Sequence, residues 1–468
     1  MSKSSSATSP KPQHPLGLVI DEFDHAVRDI EASARLFIPV ACEVIIKRCD
    51  ATSKELDSQI KDAESTDTQR RFAARARLYT AFSRMDRLKK TRIPMRLQEC
   101  LFVGVFSVYD AFLGNLLQQI FKQKPALYES IRSEMRTSEI LKYSTIDQLK
   151  VKIVDDYVDD IRRKSYVDQF AHLEGLLGMP LRKFPNWPIF VEAAQRRNLL
   201  THCDGIVSEQ YLKVCAEVGY TPPVGKLPAV GSKLELDAEY FLKTCNIVQE
   251  VGIKLAHTLW RKLFPEELEI ADEYLSDLVF ENLKNDRTDT AICLGEFANS
   301  QKTFANDQWK LIIAVNYCIA LLKSGDTKRC AALINSFDLS SALPEFKLAK
   351  AVLLRDFKKA GNVMMQIGKS GEFVNELHYH IWPLFWEFRS TSDFERAYKG
   401  IYGYDFITEV KKRVRATKKK SGRIKSLADG SAKLIAPAER LFNDVIEVEA
   451  PRKKRNGKKF AGANGTAS

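Results

Sequence analysis

An all-α fold is what this sequence predicts, on three observations. Apolar residues recur at helical spacing, as in Val19, Phe23, Ile30, Phe37, Val40 and Val44. No run alternates apolar and polar residues over the length of a strand, and no hairpin turn joins two such runs. Helix punctuation is present where it is needed: Pro188 suits a first helical position, with Asn186 or Trp187 just ahead of it, and Gly205 suits the left-handed residue beyond a C-terminus.

In chain order, residues 1–15 read as a short disordered leader, without the basic-apolar-cleavage pattern of a signal peptide. Residues 16–94 read as a helical hairpin, its arms near Pro15–Cys49 and Phe72–Leu88, joined by a charged connector near Asp50–Thr68. Residues 95–265 form a helical domain. It opens with the apolar helix Leu101–Phe121, and a further helix ends near His202. A long helix from about Asp237 to Leu263 closes it.

Residues 267–402 form another helical region with faint internal repetition. The segments starting at Asp326, Asp356 and Asp393 each follow an apolar helix and open another, with starts 30 and 37 residues apart. That spacing is near the period of tetratricopeptide-like repeats, and it predicts a short α-solenoid whose concave face would bind a regulatory protein. Trp382, Phe385, Trp386 and Phe388 would line that face, cap the array or pack its core. Residues 403–468 read as a basic, largely disordered tail.

Composition narrows the function classes. A chain of 468 residues holds two or three domains, and its apolar residues nowhere form a run long enough to span a bilayer, which predicts a soluble, cytoplasmic protein with no membrane partner. The nine cysteines are scattered singly without a CxxC pair, as expected of reduced thiols. His378 and His380, two apart, leave a helix about 200° from each other. No acidic or thiol cluster accompanies them, so neither a metal nor a cofactor is expected.

Charge is unevenly spread. Residues 411–468 hold 17 Lys and Arg against 5 Asp and Glu, and this excess equals the formal charge of +12 on the whole chain. Its blocks include Lys411, Lys412, Arg413, Arg415, Lys418, Lys419 and Lys420, then Arg452, Lys453, Lys454 and Arg455. Such a tail predicts an electrostatic tether to RNA, DNA or the ribosome, with nuclear localisation, an acidic protein partner or plain solvation as competing uses.

The run Arg197-Asn198-Leu199-Leu200-Thr201-His202 carries the chemistry. Arginine offers a planar fork of donors that stays charged, and histidine moves protons near neutral pH. Together they suit RNA cleavage, in which a base takes the ribose 2′-OH proton, a cation holds the phosphate and an acid protonates the leaving 5′-oxygen. Asn198 would set the imidazole tautomer or donate to a phosphate oxygen. Five helical residues turn about 500°, so the Arg197 and His202 side chains leave the axis about 140° apart. The competing use is a helix C-terminus whose cations complement the dipole.

Two acids are supporting candidates. Asp110 either lines the cleft or forms the polar edge of its helix. Glu192 either assists or makes an ordinary surface ion pair with Arg196, four residues on.

The surrounding segments Leu101–Phe112, Ser165–Phe170 and Phe190–Gly205, within residues 95–265, resemble the HEPN superfamily of all-α ribonucleases and nucleotide-binding proteins. The resemblance covers a little over a third of the chain. It implies that Arg197, Asn198 and His202 are the catalytic Arg-polar-x3-His signature at the end of the third core helix, acting without a metal and leaving a 2′,3′-cyclic phosphate. One chain supplies one histidine where an acid and a base are needed. The resemblance accordingly implies a homodimer, or a pair with a second HEPN chain, that faces two motifs across one cleft. It also implies a toxin or an antiviral-defence effector. The alternatives are a non-catalytic HEPN scaffold that binds nucleic acid or nucleotides, and an interaction protein anchored by its basic tail.

Overall fold

The computed structural model describes residues 14–131, 134–222 and 225–415; the predicted leader up to Gln13 and the tail from Ala416 lie outside them. Among the described residues every regular element is helical, and strand pairing is limited to two isolated bridges, Ile206 with Lys233 and Ser370 with Asn375. The fold is all-α. In order the helices are α1 (Pro15–Ala63), α2 (Thr68–Lys90), α3 (Ile93–Gln123), α4 (Thr137–Ile140), α5 (Ile146–Arg162), α6 (Tyr166–Leu177), α7 (Trp187–His202), α8 (Glu209–Glu217) and α9 (Ala238–Leu263). They continue with α10 (Leu268–Lys284), α11 (Thr288–Asn299), α12 (Asp307–Lys323), α13 (Thr327–Asn335), α14 (Pro344–Leu353), α15 (Phe357–Ile367), α16 (Glu376–Ile381) and α17 (Ser392–Tyr402).

The described chain divides after Ala342 into two compact units. The first is built on α3 and α9, whose apolar faces meet α1, α5 and α7. Phe102, Phe106, Tyr109, Phe112 and Phe190 interlock at its centre with ring centroids 5–7 Å apart. Such offset and edge packing is the preferred aromatic geometry.

The first half of α1 belongs to this core: Leu16, Ile20, Phe23 and Val27 are buried, and Phe23 stacks on Phe112 at 4.1 Å. Gly252 on α9 makes room for it, since a Cβ there would meet the Phe23 ring at 2.4 Å. Gly252→Ala is expected to cost about 1–3 kcal/mol through overpacking, measured as a fall in the unfolding midpoint in urea.

Past Pro39 the helix leaves the core and Thr52 is its one remaining buried residue. The charged stretch 50–63, expected as a connector, is instead the distal half of α1. Opposite charges four apart, such as Glu43 and Lys47, suit a solvated helix, and Glu55 and Asp62 reach across to Arg84 and Arg70 of α2.

His257, on α9, is wholly buried, and neither ring nitrogen has a partner among the described residues. Burial, with Arg261 nearby, holds its pKa down to about 3, whereas an unfolded chain protonates histidine near 6.5. The unfolded chain therefore takes up a proton that the folded chain refuses, and stability drains away as pH falls from about 6.5 toward 3. His257→Leu is expected to remove that dependence. Between pH 7 and pH 4.5 the wild type should lose about 2–3 kcal/mol more than the variant, read from unfolding curves at the two pH values.

The region 267–402 is cut by the unit boundary. Within it one turn occurs three times: Asp286, Gly325 and Arg355 have φ of 55°, 86° and 59°. Each is followed by a helix cap, Arg287, Asp326 or Asp356, with φ near −85° and ψ near 67°. Each turn closes with the same two backbone bonds, for example from Arg355 to Val352 and from Asp356 to Ala351. The expected third member at Asp393 differs, because α17 is capped by Thr391 and Asp393 lies inside its first turn. The repeated turn thus sits at Arg287, Asp326 and Asp356.

In the second unit, Phe385 and Phe388 are core residues against Tyr379 and Phe394, Trp382 packs edge-on to Phe385, and Trp386 stays exposed. His378 completes a capping box with Asn375. His380 bonds Tyr398 and stacks on Phe406 at 4.4 Å. That stacking holds a helix at residues 406–415, inside the stretch read from sequence as tail.

Contrary to the reading that no run is long enough to span a bilayer, one stretch within Thr68–Gln123 is long and apolar enough to do so by length and composition, with a mean hydropathy of 1.7. Because α2 is too charged to contribute it, the stretch lies in α3. Half of it is buried inside the bundle.

Candidate functional site

α7 starts at Trp187 with Pro188 in its first turn, as the sequence predicts, and ends at His202. The chain then reverses through Asp204 (φ 47°) and Gly205 (φ 78°), whose amide bonds the carbonyl of Leu199. A left-handed pair closing a helix favours glycine at its second position, and that residue is Gly205.

On the last turns of α7, Arg197 is held by its neighbours. Its Nη1 donates to Asn198 Oδ1 at 3.0 Å, and its Nη2 lies 3.5 Å from Asp110 Oδ2 of α3. Asp110 also accepts from the hydroxyl of Tyr166, at 2.8 Å, at the start of α6. Four residues from three helices therefore share one partly exposed patch, with Arg197 and Asp110 each about a quarter exposed. Burial raises the Asp110 pKa, against the opposing effects of the Tyr166 hydrogen bond, Arg197 and Arg162.

Asp110 lies next to Arg197 and is partly buried, at the edge of α3 that faces α6 and α7. Asn198 serves Arg197; with Oδ1 engaged, its amide nitrogen is the group left to donate outward. Tyr166 is the residue that sequence reasoning did not assign to the site, and its signal was slight: a tyrosine directly after Ser165, the cap of α6.

His202 stands apart. It is exposed at the last position of α7 and makes no hydrogen bond or ion pair with any described residue. Just beyond it, Asp204 binds Arg96 at 3.1 Å and Lys233 at 2.7 Å, and these two cations lower its pKa. The adjacent Cys203 is exposed and caps the helix through its backbone.

Glu192 requires a correction. It is neither at the Arg197 patch nor in a surface ion pair: its side chain is fully buried. It accepts from Arg196 at 2.9–3.0 Å, from Tyr211 at 2.7 Å and from Tyr240 at 2.5 Å. The Arg196 guanidinium lies 3.9 Å above the Tyr240 ring and donates to the Glu235 carbonyl. This carboxylate pins α8 and α9 to α7 just before the motif. The spacing of Glu192 and Arg196 marks the pair but not its burial, because the two tyrosines come from distant segments.

Of the basic-tail residues, Lys412 and Arg413 turn back onto buried Glu409, at 3.6 and 3.1 Å. Lys411 and Arg415 lie on the same helical segment, exposed. Lys418, Lys419, Lys420, Arg452, Lys453, Lys454 and Arg455 lie outside the described residues. Among the described residues no group of three or more His, Cys, Asp or Glu is placed to hold a metal ion.

No family model, curated protein or solved structure matches this chain.

Proposed function

We propose that this chain is a HEPN-type endoribonuclease that cleaves RNA through attack of the 2′-OH, leaving a 2′,3′-cyclic phosphate without a metal ion, and that it acts as a toxin or antiviral-defence effector. One observation carries the reading: the end of α7 presents a guanidinium fork braced by Asn198 and Asp110 and, at the last position of the same helix, an exposed imidazole that no described residue engages. A braced fork is preorganised for a phosphate, and an unengaged ring is available to carry protons. Asn198 adds a neutral donor, and Tyr166 holds Asp110 against the fork. The acid and the base come from the His202 residues of two chains, so the active form is a homodimer. The roles in toxicity or defence rest on the resemblance of residues 95–265 alone.

The test is incubation of the purified chain with total RNA in EDTA, with chemical analysis of the new 3′ ends. Discrete fragments ending in cyclic phosphate support the proposal. Intact RNA that is nevertheless bound supports the second reading, a non-catalytic nucleic-acid scaffold. That reading is favoured by the Asp110 carboxylate, which already neutralises Arg197.

A further inference from the structure

The distal hairpin shows a surface that the motif does not use. Along α2, Ala74, Ala81 and Leu88 are buried seven residues apart and form the seam with α1. The opposite face carries Phe72, Arg75, Tyr79 and Phe82 in one stripe, about 140° round the helix from that seam. Its rings are among the most exposed of the described residues: Phe72 is 79% exposed, Tyr79 77% and Phe82 67%.

As a whole α2 carries eight Lys and Arg against one acid, Asp86. Arg70 and Arg84 reach Asp62 and Glu55 of α1, and Lys90 reaches Asp86. Arg71 and Arg75, on this side of the helix, make no ion pair among the described residues. Three bare aromatic rings over about 15 Å of helix, set among unpaired guanidiniums, are poorly suited to water and well suited to a polyanion with accessible ring faces.

We propose that this face of α2 is a binding track for single-stranded RNA, with bases stacked on Phe72, Tyr79 and Phe82 and phosphates held by Arg71 and Arg75. The choice of RNA as the polyanion rests on the ribonuclease reading; the choice of a single strand rests on the rings, because paired bases cannot stack on side chains. A second copy of this chain fits less well. Two α2 helices laid face to face would set like charges against each other, and the stripe lacks the aliphatic residues of a helix seam.

The test uses the full chain and a labelled 12-nucleotide 2′-O-methyl RNA, which has no free 2′-OH and so reports binding without cleavage. Anisotropy is read in 0.3 M salt, where other basic segments contribute least. Phe72→Ala/Tyr79→Ala/Phe82→Ala should weaken binding about 30-fold or more. Arg71→Gln/Arg75→Gln should lower the slope of log affinity against log salt by about 1.4. All five residues lie at or near the surface, and circular dichroism checks that the variants fold. A duplex of the same sequence should compete poorly.

Affinity within twofold of wild type in either variant overturns the proposal. So does loss of a dimer in sedimentation without loss of RNA affinity, which would make the stripe an interface between copies. The two proposals can fail separately. If the variants lose 2′-O-methyl RNA while wild type leaves ordinary RNA intact, the track stands and the nuclease falls; cleavage by wild type with unaltered binding in the variants gives the reverse.

Discussion

Glu192→Ala is expected to lower the stability of the first unit by about 3–5 kcal/mol, measured as a shift in the urea unfolding curve. The carboxylate has no exposed surface and satisfies three donors at once, on Arg196, Tyr211 and Tyr240. Removing it leaves Arg196, only 13% exposed, as a charge stranded in the interior. It also leaves two buried hydroxyls without an acceptor, and each unmade bond adds to the loss. The double replacement Glu192→Leu/Arg196→Met removes both charges and should recover much of what the single change loses, since apolar packing replaces a buried pair well. A loss below about 1 kcal/mol in Glu192→Ala would show that the pair is not the clamp between α7, α8 and α9 described here. The clamp lies one turn before the motif, so the variant should also blur the geometry of Arg197.

His202→Ala is expected to reduce RNA cleavage by about 10²–10⁴-fold, the usual weight of a proton-transferring side chain. The ring is exposed and unengaged, so the unfolding midpoint and the affinity for 2′-O-methyl RNA should stay at wild-type values. This separates a reacting group from a structural one. Arg197→Lys provides the companion measurement: it keeps the charge but loses the planar fork that reaches Asn198 and Asp110 together, and cleavage should fall although the net charge is unchanged. A fall of less than about tenfold in His202→Ala would remove the imidazole from the reaction.

Much of the site was legible because it is local. The signature at 197–202 is contiguous, Pro188 and Gly205 punctuate one helix, and all-α character is written in the apolar spacing. Neighbours in space but not in sequence were harder to read. Asp110 was a candidate, yet its contact with Arg197 spans 87 residues and its contact with Tyr166 spans 56. Glu192 and Arg196 look alike on a buried and an exposed helix face, because the spacing is the same and only the neighbours differ. The stretch 50–63 looked like a connector because it is charged, but charge spaced four apart is also how a helix faces water on most sides.

By itself the sequence determined the helical class, the position and end of the motif helix, two of the three repeated turns and the concentration of charge in the tail. These depend on residue type and spacing within a few turns, where φ preference and capping act directly. Tertiary structure alone decided that the start of α1 enters the core, that Glu192 is buried under two tyrosines, that Asp110 and Tyr166 brace Arg197, and that the rings of α2 face outward. Burial and long-range hydrogen bonding depend on which surfaces meet, and distant segments compete for the same faces until the whole bundle has packed.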